Sequence, residues 1–429
     1  MSISLETFCG IIPWNQFSVN LASVYPSFVL PLDAGLEFDP ACEEQFFSSI
    51  PRHAGVFLIK TRAAPGTSAA KPYLARTADL RRAAERLLRP PDSASKKLNL
   101  RDVATGFSFR VTGSRFEQSL VLYHEARTRF RKSYRAFLRL RPSALLKVSL
   151  RNSYPRCYVT RRIFKDGGYY FGPFVSRQVA ESFANEFLDL FKIRRCQIKI
   201  RRDPSFPGCI YSEMKMCLAP CFAGCTKEDY DVEVNRVLQT LESGGAFLTR
   251  EMEREREAAS DATDFERAAA LHKKLDKINN VIRGLPEIAQ RVDALNAVIL
   301  QRAVRDKTVA IFAIVNGLIA SPLFICFDES GEPRSVEAVL RQHFEGLEAS
   351  ETIAQPGPYD RTSGEASASS GDRFNLHGET TMREEHLSLV ARWFYSKPRA
   401  GEILFRDTDW PYRKILRACA RVLAGANAG

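Results

Sequence analysis

Five of the ten cysteines in this chain fall between Cys196 and Cys225, and four follow the spacing Cys196-x12-Cys209-x7-Cys217-x3-Cys221. Four thiolates brought to one place can hold a zinc ion tetrahedrally or an iron–sulfur cluster. Zinc ribbons use paired CxxC knuckles, which this segment lacks, so the irregular spacing favours a cluster over zinc. Cys225 lies one step further on as a spare thiol. The start, MSISLETFCGIIPWNQ, has no basic stretch followed by an apolar core. A cytosolic chain clusters thiols for metal or redox chemistry rather than for disulfides.

Charge is concentrated elsewhere. Arg127 to Arg162 holds twelve Lys or Arg residues and no Asp or Glu, with Phe130, Phe137, Tyr154 and Tyr158 interleaved. Cations that neutralise phosphates release counterions, and aromatic faces stack on unpaired bases. The stretch therefore suits nucleic acid, with Arg127, Arg131, Lys132, Arg135, Arg161 and Arg162 as candidate contacts. The net charge of +12 and pI near 9.2 also favour a polyanionic partner.

The elements that must position these residues follow from pattern. The 429 residues suffice for two to four domains. Residues 1–50 carry no periodic signal and read as a leader. Over 51–140, GVFLIK (55–60), PYLAR (72–76) and FSFRV (107–111) read as strands, and Asp79–Leu88 as a helix with an acidic start. A long amphipathic helix is predicted from the stripe Phe116, Leu120, Tyr123, Phe130, Tyr134 and Phe137. Within 141–225, CYVTRRIFKDGGYYFGPF (157–174) reads as a hairpin turning at Asp166-Gly167, ahead of the cysteines. Residues 226–290 are helical, with breaks near Gly244-Gly245 and Ser260, and fit two helices packed as a hairpin.

The region 291–429 returns to strands and helices. Its segment 354–381, rich in Ser, Gly, Ala and Asp, reads as a disordered insertion. Helices are predicted over His386–Phe394 and Pro411–Leu423. Thr308 to Phe327 is uncharged and about long enough to span a bilayer. However, Asn316-Gly317 separates two β-rich runs, and Pro322 and the flanking Asp306 and Asp328 suit strands, so a buried hairpin and no membrane partner are expected. The fold class is α/β multidomain.

Four stretches, in order along the chain, resemble the UvrC family, the incision subunits of bacterial nucleotide excision repair. RCYVTRRIFKDGGYYFGPFVS (156–176) resembles the segment after the family's first nuclease domain. The cysteine spacing, with CLAPC carrying the last pair, is similar to its four-cysteine motif, and the implied cofactor is a 4Fe–4S cluster on Cys196, Cys209, Cys217 and Cys221. DFERAAALHKKLDKI (264–278) resembles the UVR motif, the helical hairpin that meets UvrB. There Ala268 and Ala269 would let a neighbouring helix approach, and Phe265, Leu271, Leu275 and Ile278 form the apolar stripe. His272 and Lys273 replace an arginine–aspartate pair common in that motif. EEHLSLVARWFYSKPRAGEILF (384–405) resembles the segment before the family's second nuclease domain.

The resemblance also implies a small GIY-YIG-like α/β nuclease domain, with Gly55-Val56-Phe57 and Tyr73-Leu74-Ala75 at the two motif positions. Such a site directs water in line at a phosphodiester, and needs a base, a carboxylate-bound metal and a cation. Glu125, in YHEA, stands where the family's metal ligand belongs, implying Mg2+ or Mn2+, and Tyr73 keeps the second tyrosine. Phe57 replaces the first tyrosine and Ala75 the closing glycine. The family's arginine falls on Ala83, with Arg81, Arg82 and Arg86 nearby, and its asparagine falls near Phe137. Two readings follow: an endonuclease that nicks damaged DNA with UvrB, or a DNA-binding scaffold that kept the fold. About two dozen residues follow Phe405. A ribonuclease-H-like nuclease and a helix–hairpin–helix module would not fit there, so the second incision centre is expected to be absent.

Overall fold

The computed structural model describes residues 30–63, 71–91, 97–327, 333–352 and 370–425. Three antiparallel sheets and twelve α-helices make a mixed α/β structure over these residues.

The first unit comprises β1 (Ala34–Glu37), α1 (Glu43–Ser49), β2 (Gly55–Thr61), β3 (Tyr73–Thr77), α2 (Leu80–Leu88), β4 (Ala104–Val111) and α3 (Arg115–Arg129). Its sheet order is β1-β4-β2-β3. Residues 34–49, taken as leader from sequence, thus join this sheet and its covering layer: Ala34 pairs with Phe109 and Leu36 with Phe107. Alternation along β2 sends Phe57 and Ile59 to one face, under α1 and α2, and Val56 and Leu58 to the other, under α3. Asp79 caps α2 and Ser114 caps α3, each accepting a backbone N–H three residues on.

The predicted 116–137 helix is broken. α3 ends at Arg129, Phe130 leaves the helical region, and a short α4 (Tyr134–Phe137) follows. The break turns Tyr134 and Arg135 toward Glu385, which a continuous helix would carry past it.

The second unit starts with β5 (Ala144–Val148), β6 (Cys157–Thr160) and β7 (Tyr169–Phe174), in the order β6-β5-β7. The predicted 157–174 hairpin is therefore incorrect, because β5 lies between its two strands. β5 comes from inside the basic run and is buried along its whole length. A strand buried on both faces reads as continuous and not alternating, which hid it. Next come α5 (Arg177–Leu188), a short α6 (Ile210–Glu213), α7 (Lys227–Glu242), α8 (Ala246–Asp261) and α9 (Phe265–Ile282). Three helices, rather than two, fill the 226–290 region. Thr226 and Asp229 form a capping box at the start of α7, and Asp264 caps α9. Phe183 and Phe187 of α5, Val237 and Leu241 of α7, and Leu271, Leu275 and Ile278 of α9 share one core with Leu146, Val148 and Phe171.

The third unit holds β8 (Ala297–Arg302), β9 (Thr308–Val315), β10 (Leu318–Ile319), β11 (Leu323–Cys326), α10 (Pro333–Thr352), α11 (Ser370–Phe394), β12 (Glu402–Phe405) and α12 (Tyr412–Leu423). Strands run β10-β9-β8-β12, with β11 also on β9. The Thr308–Phe327 stretch is a hairpin: Asn316 and Gly317 take φ of 48° and 77°, as a two-residue turn requires. Among the described residues no helix is long and apolar enough to cross a membrane. Of the 354–381 segment, residues 354–369 lie outside the described residues, whereas Ser370 onward is helical as the first turns of α11. A helix anchored by its buried stretch, 385–391, extends by one hydrogen bond per residue at little cost.

α3 is packed between the first sheet and the third. Phe116 meets Phe312 of β9 and Trp393 of α11, with ring centroids 5.2 and 5.6 Å away. Three consecutive residues of α11 then tie the units together. Glu384 Oε1 accepts the Ile163 N–H at 2.7 Å. The buried Glu385 carboxylate accepts from the Tyr123 hydroxyl at 2.7 Å, the Tyr134 hydroxyl at 2.5 Å and Arg135 Nε at 2.5 Å. His386 Nδ1 accepts the Ile319 N–H at 2.9 Å. Burial and then the nearby Arg127 push the His386 pKa down to about 3, so the ring stays neutral and can accept.

Removing the Glu385 carboxylate strands buried hydroxyl donors. Glu385→Ala is expected to cost about 3 kcal/mol and Glu385→Gln less, since an amide oxygen still accepts. Urea unfolding followed by tryptophan fluorescence measures this. An unchanged midpoint for the alanine variant would show that the three units do not depend on this contact.

Candidate nucleic-acid interface and cysteine centre

The nuclease-like positions do not converge. Phe57, Tyr73 and Ala75 share the sheet face covered by α1 and α2, where the Phe57 ring stacks on Phe107 at 5.1 Å and lies 6.1 Å from Tyr73. Ala83 is buried in the same layer, and Arg81 is occupied by the Ile50 and Ser48 carbonyls at the end of α1, both at 2.7 Å. Glu125 sits on α3, which covers the opposite face. Its carboxylate is fully engaged: Oε1 accepts the Leu32 N–H at 3.2 Å and Oε2 accepts Arg129 Nε at 2.8 Å. Burial alone would raise its pKa, but His124, Arg129 and the Leu32 N–H together hold it below the usual value.

A divalent magnesium or manganese ion needs open oxygen ligands. The neighbours of Glu125 are cationic or N–H donors, and among the described residues no three His, Cys, Asp or Glu are grouped to hold a metal ion. The residues present do not fit a nuclease metal.

The structure divides the basic run into two sets. Arg127 donates to the Tyr123 hydroxyl at 3.2 Å, Arg129 pairs with Glu125, and Arg135 with Glu385. Lys147 is buried and bonded to Asp166, beneath the rings of Tyr158, Phe164 and Tyr170. Burial would lower its pKa, yet Asp166 and then Tyr170 keep it above the ordinary lysine value. By contrast, Arg131, Lys132, Arg139, Arg141, Arg151, Arg161 and Arg162 are exposed and enter no ion pair among the described residues. The contacts of Glu384 and Glu385 bring the 131–141 and 161–165 segments together, since Arg135 and Arg162 both lie within electrostatic reach of Glu384. Arg131, Lys132 and Arg139 belong to the first of these adjoining segments, and Arg161 and Arg162 to the second.

Three cysteines of the motif lie within electrostatic reach of the fourth, Cys217, although among the described residues no group of three or more His, Cys, Asp or Glu is placed to hold a metal ion. Cys196, Cys209 and Cys221 each act electrostatically on Cys217, whose pKa is pushed up to about 11, chiefly by burial. The Cys217 sulfur accepts the Ala219 N–H at 3.3 Å, and Arg194 Nη1 points at the Cys196 sulfur from 3.9 Å. Left-handed conformations at Gly208, Lys215, Ala219 and Ala223 wrap the chain around the thiols. The donor set is all sulfur and carries N–H···S contacts, the environment that tunes iron–sulfur sites.

Arg194 and Tyr230, which spacing did not single out, hold this segment in place. The Tyr230 hydroxyl donates to Pro155 O at 2.7 Å and accepts the Arg194 N–H at 2.9 Å. Arg194 also donates to the carbonyls of Tyr154, Cys196 and Ile198 at 2.8, 3.2 and 2.9 Å. Their only signal in sequence was a long side chain next to a loop with little apolar material.

α8 and α9 form an antiparallel hairpin that carries the residues of the predicted apolar stripe. Leu271 and Leu275 turn into the core of the chain itself, and Ala268 is half-buried. Ala269 is exposed and Phe265 is 70% exposed. The predicted stripe is therefore split: its leucines hold the hairpin to α5 and α7, and Phe265 projects into solvent at the first turn of α9.

Residues 144–240 match the family described as UvrC/Cho excinuclease, middle domain. The chain is similar to the UvrABC system protein C of Clostridium tetani, 23% identical over 68% of this chain and 46% of that protein. It is 29% identical to that of Oleidesulfovibrio alaskensis over 60% of this chain and 36% of the relative. For Dehalococcoides mccartyi the values are 26%, 67% and 46%. The chain thus spans less than half the length of these relatives. No solved structure matches it.

Arg194→Met keeps bulk but leaves carbonyls without donors. The segment is expected to lose about 2–3 kcal/mol of local stability, so tryptic cleavage after Arg195, Lys199 or Arg201 should quicken on the order of 30–100-fold. Mass spectrometry of timed digests reads the change. Wild-type cleavage rates in the variant would mean that the loop is ordered by other contacts.

Proposed function

From the premise that this chain belongs to the UvrC family, we propose that it is a DNA-binding scaffold of nucleotide excision repair, acting in the cytoplasm with a UvrB-type partner. The observation that carries this reading is the set of exposed cations Arg131, Lys132, Arg139, Arg141, Arg161 and Arg162, on two segments that meet at Glu384 and Glu385. Phosphates are the ligand that such a set neutralises. The α8–α9 hairpin supplies the partner surface, with Phe265 and Ala269 as its accessible residues. The engagement of Glu125 by Arg129 and Leu32, on the far side of the sheet from Tyr73, favours a scaffold over a GIY-YIG endonuclease. Losing a charge-stabilising group costs a nuclease two to three orders of magnitude in rate, and this face lacks several.

A nicking assay on damaged duplex, with Mg2+ or Mn2+ and the cognate UvrA and UvrB, tests the scaffold reading. No metal-dependent nicking by this chain is expected. Nicking that is present in the wild type and abolished in Glu125→Gln would establish the endonuclease instead.

Cys196, Cys209, Cys217 and Cys221 are proposed as ligands of a 4Fe–4S cluster. When bound, the cluster would supply redox chemistry or a rigid cross-link for the loop; the chain itself contributes the thiolates and the N–H donors aimed at them. Anaerobically purified protein should be brown and contain about four irons per chain. Cys217→Ser should lose the iron, and Cys225→Ser should keep it. Stoichiometric zinc without iron would replace the cluster with a structural zinc site.

A further inference from the structure

We propose that the face formed by α4 and the 161–165 loop is a stacking site for unpaired DNA bases, with Phe137 and Phe164 as its platforms. The inference rests on the DNA-binding reading and adds to it the form of DNA that is bound. Phe137 is 44% exposed and Phe164 is 49% exposed; in the chain Phe137 lies close to the exposed Arg131, Lys132 and Arg139, and Phe164 close to the exposed Arg161 and Arg162. A large apolar ring left half in water forgoes part of its burial energy. Two such rings amid charge call for an occupant that is both anionic and flat.

Both rings are held in place. The Phe164 N–H donates to the Tyr170 hydroxyl at 2.8 Å, and the same hydroxyl lies 3.3 Å from the Phe164 carbonyl. The Lys147 ammonium lies 4.9 Å from the Phe164 ring centroid, on the buried side. Phe137 leans on the half-buried Phe130, with ring centroids 5.1 Å apart. A base that stacks on a ring already fixed loses little entropy in the protein. A duplex keeps its bases stacked on one another and offers the rings only its backbone, whereas a single strand or a bubble offers free base faces.

Phe164 also covers Lys147, so substitution by leucine is the informative change: it keeps an apolar cover and removes the π-face. The experiment measures binding of the full chain to a labelled duplex, to the same duplex with an unpaired bubble, and to the single strand. Phe137→Leu and Phe164→Leu should each weaken bubble and single-strand binding by about five- to tenfold, leaving duplex affinity within about twofold. Phe164→Trp should bind single strands at least as well as wild type. The double variant Arg161→Ala, Arg162→Ala should weaken all three DNAs and flatten the salt dependence. Equal wild-type affinity for the three DNAs, with no effect of the leucine variants, would overturn the stacking site and leave the DNA-binding reading intact. A uniform loss in the leucine variants, together with a lower melting temperature, would also overturn it, by assigning the rings to folding alone. Absence of salt-sensitive binding to any DNA would remove the underlying reading itself.

Discussion

A carboxylate placed in a protein interior must be met by donors or it destabilises the fold by several kcal/mol. Glu385 is in that position, and the way its need is met organises the molecule. Its partners are Tyr123 from α3 and Tyr134 and Arg135 from α4. Its neighbours in sequence reach elsewhere, Glu384 to the loop before β7 and His386 to β10. Three adjacent side chains thus satisfy buried polar groups on three units. Burial raises the pKa of Tyr123, which keeps it a donor, and lowers that of His386, which keeps it an acceptor. Each protonation state is the one its hydrogen bond requires.

Several features follow from that node. Breaking the helix after Arg129 lets α4 reach Glu385, and it leaves Arg131, Lys132 and Phe137 on the surface. α3 itself is held between two sheets by Phe116 and Leu120, so Glu125 faces Leu32 and Arg129 rather than Tyr73. The packing that made α3 a structural axis also filled the coordination space of its carboxylate. A metal-dependent site and this arrangement compete for the same oxygen atoms.

The cysteine segment is ordered on a different principle. It has few apolar side chains, and its backbone is held by Arg194 and Tyr230, which bond to the carbonyls of Tyr154, Pro155, Cys196 and Ile198. A loop held by hydrogen bonds to one guanidinium needs fewer apolar side chains of its own. The adjoining helices do have such a core, and Leu271 and Leu275 belong to it. That is why only part of the predicted partner stripe is accessible.

Local pattern was enough for much of this protein. The strands at 55–60, 72–76 and 107–111, the Asn316-Gly317 hairpin, the helix start at Asp79 and the excess of positive charge were legible in the sequence. Each depends on neighbours within a few residues or on composition alone. What required tertiary structure was every feature set by residues far apart in the chain. β5 separates β6 from β7 because a strand buried on both faces carries no alternation to reveal it. Tyr73 and Glu125 stand at plausible spacing, but strand alternation and the placement of α3 put them on opposite faces of one sheet. Twelve cations look alike in sequence; burial, and acids as distant as Glu385, decide which are internal and which remain free for phosphate. Charge is a property of composition, whereas its availability depends on what the fold places beside it.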